Sequence, residues 1–225
     1  MRSGVRPSER IAGPRERRWP AVLTLLVTIA MSVFLPERLV LGPSWLVPAV
    51  EGLLLIAIVA AISGSTGRCT TFLRALSVAL VFALTAAAGW SAIRLIIELL
   101  DGAQRWSNAR ALLVAGALVW TYTNVAFAFV YWEMDGGGVD KRTREPRQYP
   151  DLAFPEYMSP KLAPPGWRPD FIDYLYLGFT NATAFSPTDV MPMRIWAKVA
   201  MALQASISIA ILTLVVANAV NLLGQ

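Results

Sequence analysis

IWAKVAMALQASISIAILTLVVANAVNL, residues 195–222, carries a single charge, Lys198 in its first turn, followed by twenty-four uncharged residues. About 20 predominantly apolar residues suffice for a helix to cross the hydrocarbon core of a bilayer, so this run predicts a membrane-spanning helix from about Ile195 to Leu222. Upstream, the same reading gives helices at about Pro20–Leu35, Trp45–Ser63, Phe72–Leu100 and Ala109–Trp132. The first is short: its 16 residues reach only about 24 Å at about 1.5 Å per residue. Composition agrees, with 56% hydrophobic and 16% charged residues against the roughly 25% charged of soluble domains. The expected fold class is all-α, a polytopic transmembrane bundle of about five spans with one further re-entrant or interfacial segment.

Four regions follow along the chain. Residues 1–19 form a basic segment, 20–132 a four-helix transmembrane region, 133–169 a polar connection, and 170–225 a short aromatic segment with the last helix. Arg2, Arg6, Arg10, Arg15, Arg17 and Arg18 precede the first apolar run as they do in a signal peptide. No small-x-small cleavage site stands before Leu35-Pro36-Glu37-Arg38, so an uncleaved first helix is expected. Arg17-Arg18 lacks the surroundings of a twin-arginine export signal.

Basic residues set the orientation. With the N-terminus inside, sixteen of the 20 Lys and Arg fall on the inner side and only Arg38, Arg105 and Arg110 on the outer, leaving Arg94 within the third helix. The expectation is a multi-pass protein of the cell membrane, N-terminus cytoplasmic and C-terminus outside. Trp19, Trp45, Trp106, Trp132 and Trp196 fall at helix ends, as in an aromatic belt, whereas Trp90 and Trp120 read as packing residues.

Cys69 is the only cysteine and histidine is absent, which excludes an intrachain disulfide, the common zinc sites and His-dependent nucleophilic catalysis. No enzyme, cofactor or metal is expected. The net charge of +5 is carried largely at helix ends, so it implies the lipid bilayer as partner and no nucleic acid.

The 133–169 connection begins with Gly136-Gly137-Gly138 and holds seven prolines. Its acids Asp135, Asp140, Glu145, Asp151 and Glu156 have no geometry fixed by the sequence. A solvated loop partly packed on the helix ends is expected.

Ionisable and polar residues within the spans are the first candidate sites. Glu51, Arg94 and Glu98 stand at a similar depth near the outer face, and charge within a span is expensive and usually paired. A Glu51–Arg94 ion pair is expected, with Glu98 one turn along; the alternative is that Arg94 and Glu98 snorkel to the interface. On the last helix Gln204 and Ser208, one turn apart, are expected to join helices by hydrogen bonds, with pore lining the lesser alternative; Thr123 and Asn124 read the same way.

The richest stretch is DYLYLGFTNATAFSPTDVMP, residues 173–192. Together with the last helix it resembles the pore module of potassium channels, in which a short pore helix leads to a selectivity filter and then to the inner helix. By that resemblance Leu175–Thr183 corresponds to the pore helix, and Asp189 and Pro192 to the aspartate and proline after the filter. Thr183, Ala184, Phe185, Ser186, Pro187, Thr188 and Asp189 then make the filter-like site. It implies copies of the chain around a pore and monovalent cations as the permeating species. Ala184-Phe185-Ser186-Pro187-Thr188 replaces the family's Thr-Val-Gly-Tyr-Gly, so the two glycines that free that backbone are absent. The charge count also puts the segment on the inner side, whereas the channel family's loop enters from outside.

The whole chain also resembles a bacterial family of five-helix membrane proteins of unknown function. The likeness rests on Tyr131-Trp132, Gly136–Gly138, Phe154-Pro155, Asp173–Phe179 and the closing Ala217-Asn218-Ala219-Val220-Asn221. It implies five helices and no activity. Two functions therefore stand at this level: a pore-forming protein, or a non-conducting membrane protein of structural or envelope-assembly role.

Overall fold

Apolar runs bounded by proline, glycine and charge become helices here, with ends close to those read from the sequence. The computed structural model describes residues 19–62, 68–102, 106, 108–144, 149–159, 161, 163–164, 167–183 and 189–224. Its main elements are α1 (Trp19–Phe34), α2 (Leu46–Ile62), α3 (Arg68–Leu100) and α4 (Ala109–Met134). They are followed by α5 (Val139–Arg144), β1 (Leu152–Ala153), α6 (Pro155–Met158), α7 (Phe171–Thr183), β2 (Met191–Pro192) and α8 (Ile195–Leu223). Among the described residues three stretches are long and apolar enough to cross a membrane: Phe72–Leu100, Ala109–Gly137 and Ile195–Leu223, each of 29 residues. Two shorter apolar helices, Trp19–Phe34 and Leu46–Ala60, pack beside them.

Local chemistry explains several boundaries. Pro20 and Pro48 sit in the first turns of α1 and α2, where a missing N–H costs nothing, and Pro36 follows the end of α1. Asn108 caps α4 by accepting the Ala111 amide at 2.8 Å. At the other end of α4 the chain turns through Gly136, Gly137 and Gly138, with φ of 60°, 84° and 94°. This is left-handed backbone that suits glycine, and a Cβ on Gly136 would lie 2.7 Å from that of Arg142.

α4 is the central element. Its buried face runs nearly without interruption from Tyr122 to Glu133, because α3, α7 and α8 all pack on it. Gly116 lets α8 approach closely, since a Cβ there would stand 2.7 Å from Val215 Cγ2. Small residues at such crossings replace the hydrophobic drive that lipid does not supply.

Contacts at the two ends fix the relative directions. Arg74, near the start of α3, donates to the Gly137 carbonyl at the end of α4. At the opposite end Asn218 of α8 donates to the Leu99 carbonyl of α3 at 3.3 Å. α3 and α8 are thus both antiparallel to α4. α7 begins beside the end of α4, where Tyr174 reaches Asp135, and runs back along it until Phe179 meets Trp120 edge-on at 5.9 Å.

Part of the 133–169 connection is packed on the helix ends, as expected, and among its described residues the packing reaches into its middle. Arg142, Asp151, Leu152, Ala153 and Phe154 are buried, and β1 pairs antiparallel with β2 through Leu152–Pro192 and Ala153–Met191. Aromatic packing drives this burial: Phe154 stands edge-on to Tyr174 at 5.3 Å and to Trp167 at 6.0 Å. Trp132, read as a belt residue, is also core, because Phe171 packs perpendicular to it at 5.5 Å. Trp106 is buried likewise, under the Arg38 guanidinium at 4.1 Å. Trp90, by contrast, is exposed.

Candidate functional site: the seat of α7

α7 is amphipathic. Phe171, Tyr174, Leu177, Gly178, Asn181 and Ala182 are buried against the bundle, while Ile172, Tyr176 and Phe179 are exposed along a groove shared with α1 and α4. The inward stripe recurs every three or four residues, the period that puts one face of a helix against a neighbour.

Gln204 of α8 organises the contact. Fully buried, it uses its whole hydrogen-bonding capacity of two acceptor and two donor positions. Its Oε1 accepts from the Tyr131 hydroxyl at 2.6 Å and from Asn181 Nδ2 at 2.9 Å. Its Nε2 donates to Asn124 Oδ1 at 2.7 Å and to the Gly178 carbonyl at 2.8 Å. One side chain therefore ties α4, α7 and α8 together. Asn181 adds a bond to the Met201 carbonyl at 2.9 Å, and Asn124 one to Trp120 at 2.9 Å.

Gly178 makes room for this network. A Cβ there would meet the Asn124 carbonyl oxygen at 3.2 Å and Gln204 Nε2 at 3.6 Å. Glycine is needed for close approach rather than for an unusual backbone angle.

At its N-terminal end α7 is seated on a buried polar cap. The Tyr174 hydroxyl donates to Asp135 Oδ2 at 2.6 Å, and Arg142 spans the Trp132 and Asp135 carbonyls at 2.6 and 3.0 Å while lying over the Tyr174 ring. The chain leaving α7 returns to the same cap: Met193 donates to the Asp151 carbonyl at 2.8 Å, and Arg194 pairs with the buried Asp151 carboxylate at 3.2 Å. Asp135 and Asp151 thus serve packing, not a solvated loop surface.

The filter-like residues divide. Ala184, Phe185, Ser186, Pro187 and Thr188 lie outside the described residues. Thr183 is exposed and bonds back to the Phe179 carbonyl at 3.0 Å; Asp189 is also exposed. Ser208, expected to act with Gln204, is buried, but its Oγ finds no hydrogen-bond partner among the described residues.

The Glu51–Arg94 pair does not form. Glu51 accepts instead from Ser32 Oγ of α1 at 2.8 Å, while half-buried Arg94 turns back over the Trp90 ring at 5.9 Å. Glu98 takes Arg38, at 3.5 Å, from the loop after α1. A similar depth did not imply a shared face: Arg94 lies over Trp90 of its own helix, and Glu51 is bonded from α1.

Tyr131, Gly178 and Asn181 are hydrogen-bonding neighbours of Gln204 that the sequence did not pair with it. One signal was present: Asn124 and Tyr131 lie seven residues apart, two turns along one helix face. Ser32 and Tyr122, the neighbours of Glu51, carried none. No family model, curated protein or solved structure matches the chain.

Proposed function

We propose that this chain is a five-span protein of the cell membrane in which α7 is a re-entrant helix docked within its own bundle, and that it acts as a non-conducting membrane scaffold. The observation that carries this reading is Gln204: all four of its hydrogen bonds go to partners in the same chain, which leaves it nothing with which to line a conduit. Fully connected polar groups inside a bundle rigidify it, and interhelical bonding by Asn, Gln and Tyr is ordinary membrane glue.

Re-entry is supported by the return of residues 190–194 to the cap from which α7 starts. Non-spanning backbone at membrane depth is tolerated where protein covers it, as α4 and α8 cover the inner face of α7. Arg74, Lys141, Arg142, Arg168, Arg194 and Lys198 gather toward that end of the bundle in the expected topology, which makes it the cytoplasmic end by the positive-inside rule. The resemblance to a bacterial five-helix family agrees with this arrangement.

A channel-like reading has one observation in its favour: a short helix, a loop and a long helix beginning at the same end, the order of a pore module. Purified protein in planar bilayers separates the two. The scaffold reading expects no current under any ion gradient, with folded protein confirmed and the oligomeric state measured. A reproducible cation current from a defined oligomer would overturn it.

A further inference from the structure

α1, α4 and α7 enclose a groove of about 550 Å³. Leu23 and Val27 line it from α1, Trp120 from α4, and Ile172, Tyr176 and Phe179 from α7. Among the described residues no charged side chain lines it. Of the polar groups in its wall, Thr28 donates to the Thr24 carbonyl at 2.8 Å, and Asn124 is engaged by the Trp120 carbonyl and by Gln204. The groove therefore offers an occupant chiefly dispersion contacts, which suit hydrocarbon rather than a polar ligand.

Two of the walls are fixed from inside the protein. Gln204 holds both Asn124 and the Gly178 carbonyl, and Phe179 stands edge-on to Trp120 at 5.9 Å, which sets the spacing of α4 and α7. Preorganised walls hold an occupant at less cost than surfaces that must order around it.

Size and composition choose the occupant. The α1 wall runs from Leu23 to Met31, about 12 Å at about 1.5 Å per residue. Over that length the volume gives a mean section of about 45 Å², whereas a helix about 10–12 Å across needs roughly 80–110 Å². A helix of a second copy is too wide to lie inside. Residues 1–18 of the chain carry six arginines, the wrong chemistry for an uncharged cleft. Lipid tails are thin and apolar, and an unfilled void beside them forfeits contacts. Position agrees, since the groove begins at Ile172 in the first turn of α7 and reaches Phe179, about 10 Å further along the helix.

We propose that this groove binds the hydrocarbon tail of one bilayer phospholipid, a resident lipid rather than a passing one. The proposal rests on the reading of α7 as embedded in the membrane.

Photolabelling of the full chain tests it, in phosphatidylcholine vesicles with a trace of phosphatidylcholine that carries a diazirine halfway along one tail. Adducts are mapped by mass spectrometry, and Val216, exposed on α8, reports general lipid contact. Adducts should concentrate on Val27, Tyr176 and Phe179 over Val216. Val27→Trp fills the groove and should abolish the α7 adducts while leaving those at Val216; Leu23→Trp, one turn away, does the same where the first variant disturbs folding. Equal labelling of the groove and α8, unchanged by either substitution, means passing lipid only and overturns the proposal. Adducts on α8 with none in the groove overturn it too, and a water-soluble carbene reagent then separates the causes. A reactive Tyr176 puts α7 in water and ends the re-entrant reading as well, whereas an unreactive Tyr176 leaves that reading intact with a protein partner, such as a second copy, over the groove.

Discussion

Gln204 Nε2 on α8 lies 2.8 Å from the carbonyl oxygen of Gly178 on α7, a contact that a side chain at position 178 would crowd. It joins two elements that are only a short stretch apart in sequence, and it does so at the surface of a third, α4. The seat of α7 therefore rests on a fully buried polar group between helices that are otherwise mainly apolar.

Gln204→Leu keeps the volume roughly and removes all four bonds, leaving the Asn124, Tyr131 and Asn181 polar atoms without their partner. Interhelical bonds in membranes are worth about 0.6–2 kcal/mol, and an unsatisfied buried group about 1–3, so a loss of about 2–3 kcal/mol is expected. Ser208→Ala, one turn away, removes a hydroxyl that has no partner among the described residues and should fall within about 0.5 kcal/mol of wild type. Unfolding equilibria in mixed micelles measure both; equal effects would refute the assignment of the network to Gln204.

Close approach is tested at Gly116. Gly116→Ala puts a methyl within 2.7 Å of Val215 Cγ2 and should cost about 1–3 kcal/mol by overpacking. Val215→Ala removes the obstructing methyls, so the double variant should recover most of that loss, a coupling that a double-mutant cycle reads directly. Additive effects would show that α8 does not cross α4 there.

The polar cap gives a third expectation. Tyr174→Phe keeps the ring against Phe154 and takes away only the hydroxyl that serves buried Asp135. Destabilisation of about 1–3 kcal/mol is expected. Amide exchange should rise first in α7 and at β1–β2, the elements anchored at this cap. Unchanged protection there would contradict the cap's role.

Much of the helical frame was legible because apolar runs end where water-seeking or helix-breaking residues begin. The last helix was expected from Ile195 to Leu222 and ends at Leu223; the fourth was expected to Trp132 and continues to Met134 before the glycines. What could not be read was which faces meet. Glu51 and Arg94 were matched by depth, but pairing depends on rotation of each helix, which the nearly uniform apolarity of α2 and α3 does not reveal. Asp135 and Asp151 looked like loop acids because their partners, Tyr174 and Arg194, lie 39 and 43 residues away, and meeting them is a non-local event.

The central claim, that α7 enters and leaves at one end of the bundle, is tested most directly by cysteine accessibility in a Cys69→Ser background. Single cysteines at Tyr149, Asp189 and Asp101, all exposed, are labelled with a membrane-impermeant maleimide in sealed vesicles of known orientation. Tyr149→Cys and Asp189→Cys should react from the same side, the cytoplasmic one, and Asp101→Cys from the other. Labelling of Asp189→Cys from the side that labels Asp101→Cys would mean that α7 crosses the membrane, and would contradict the account.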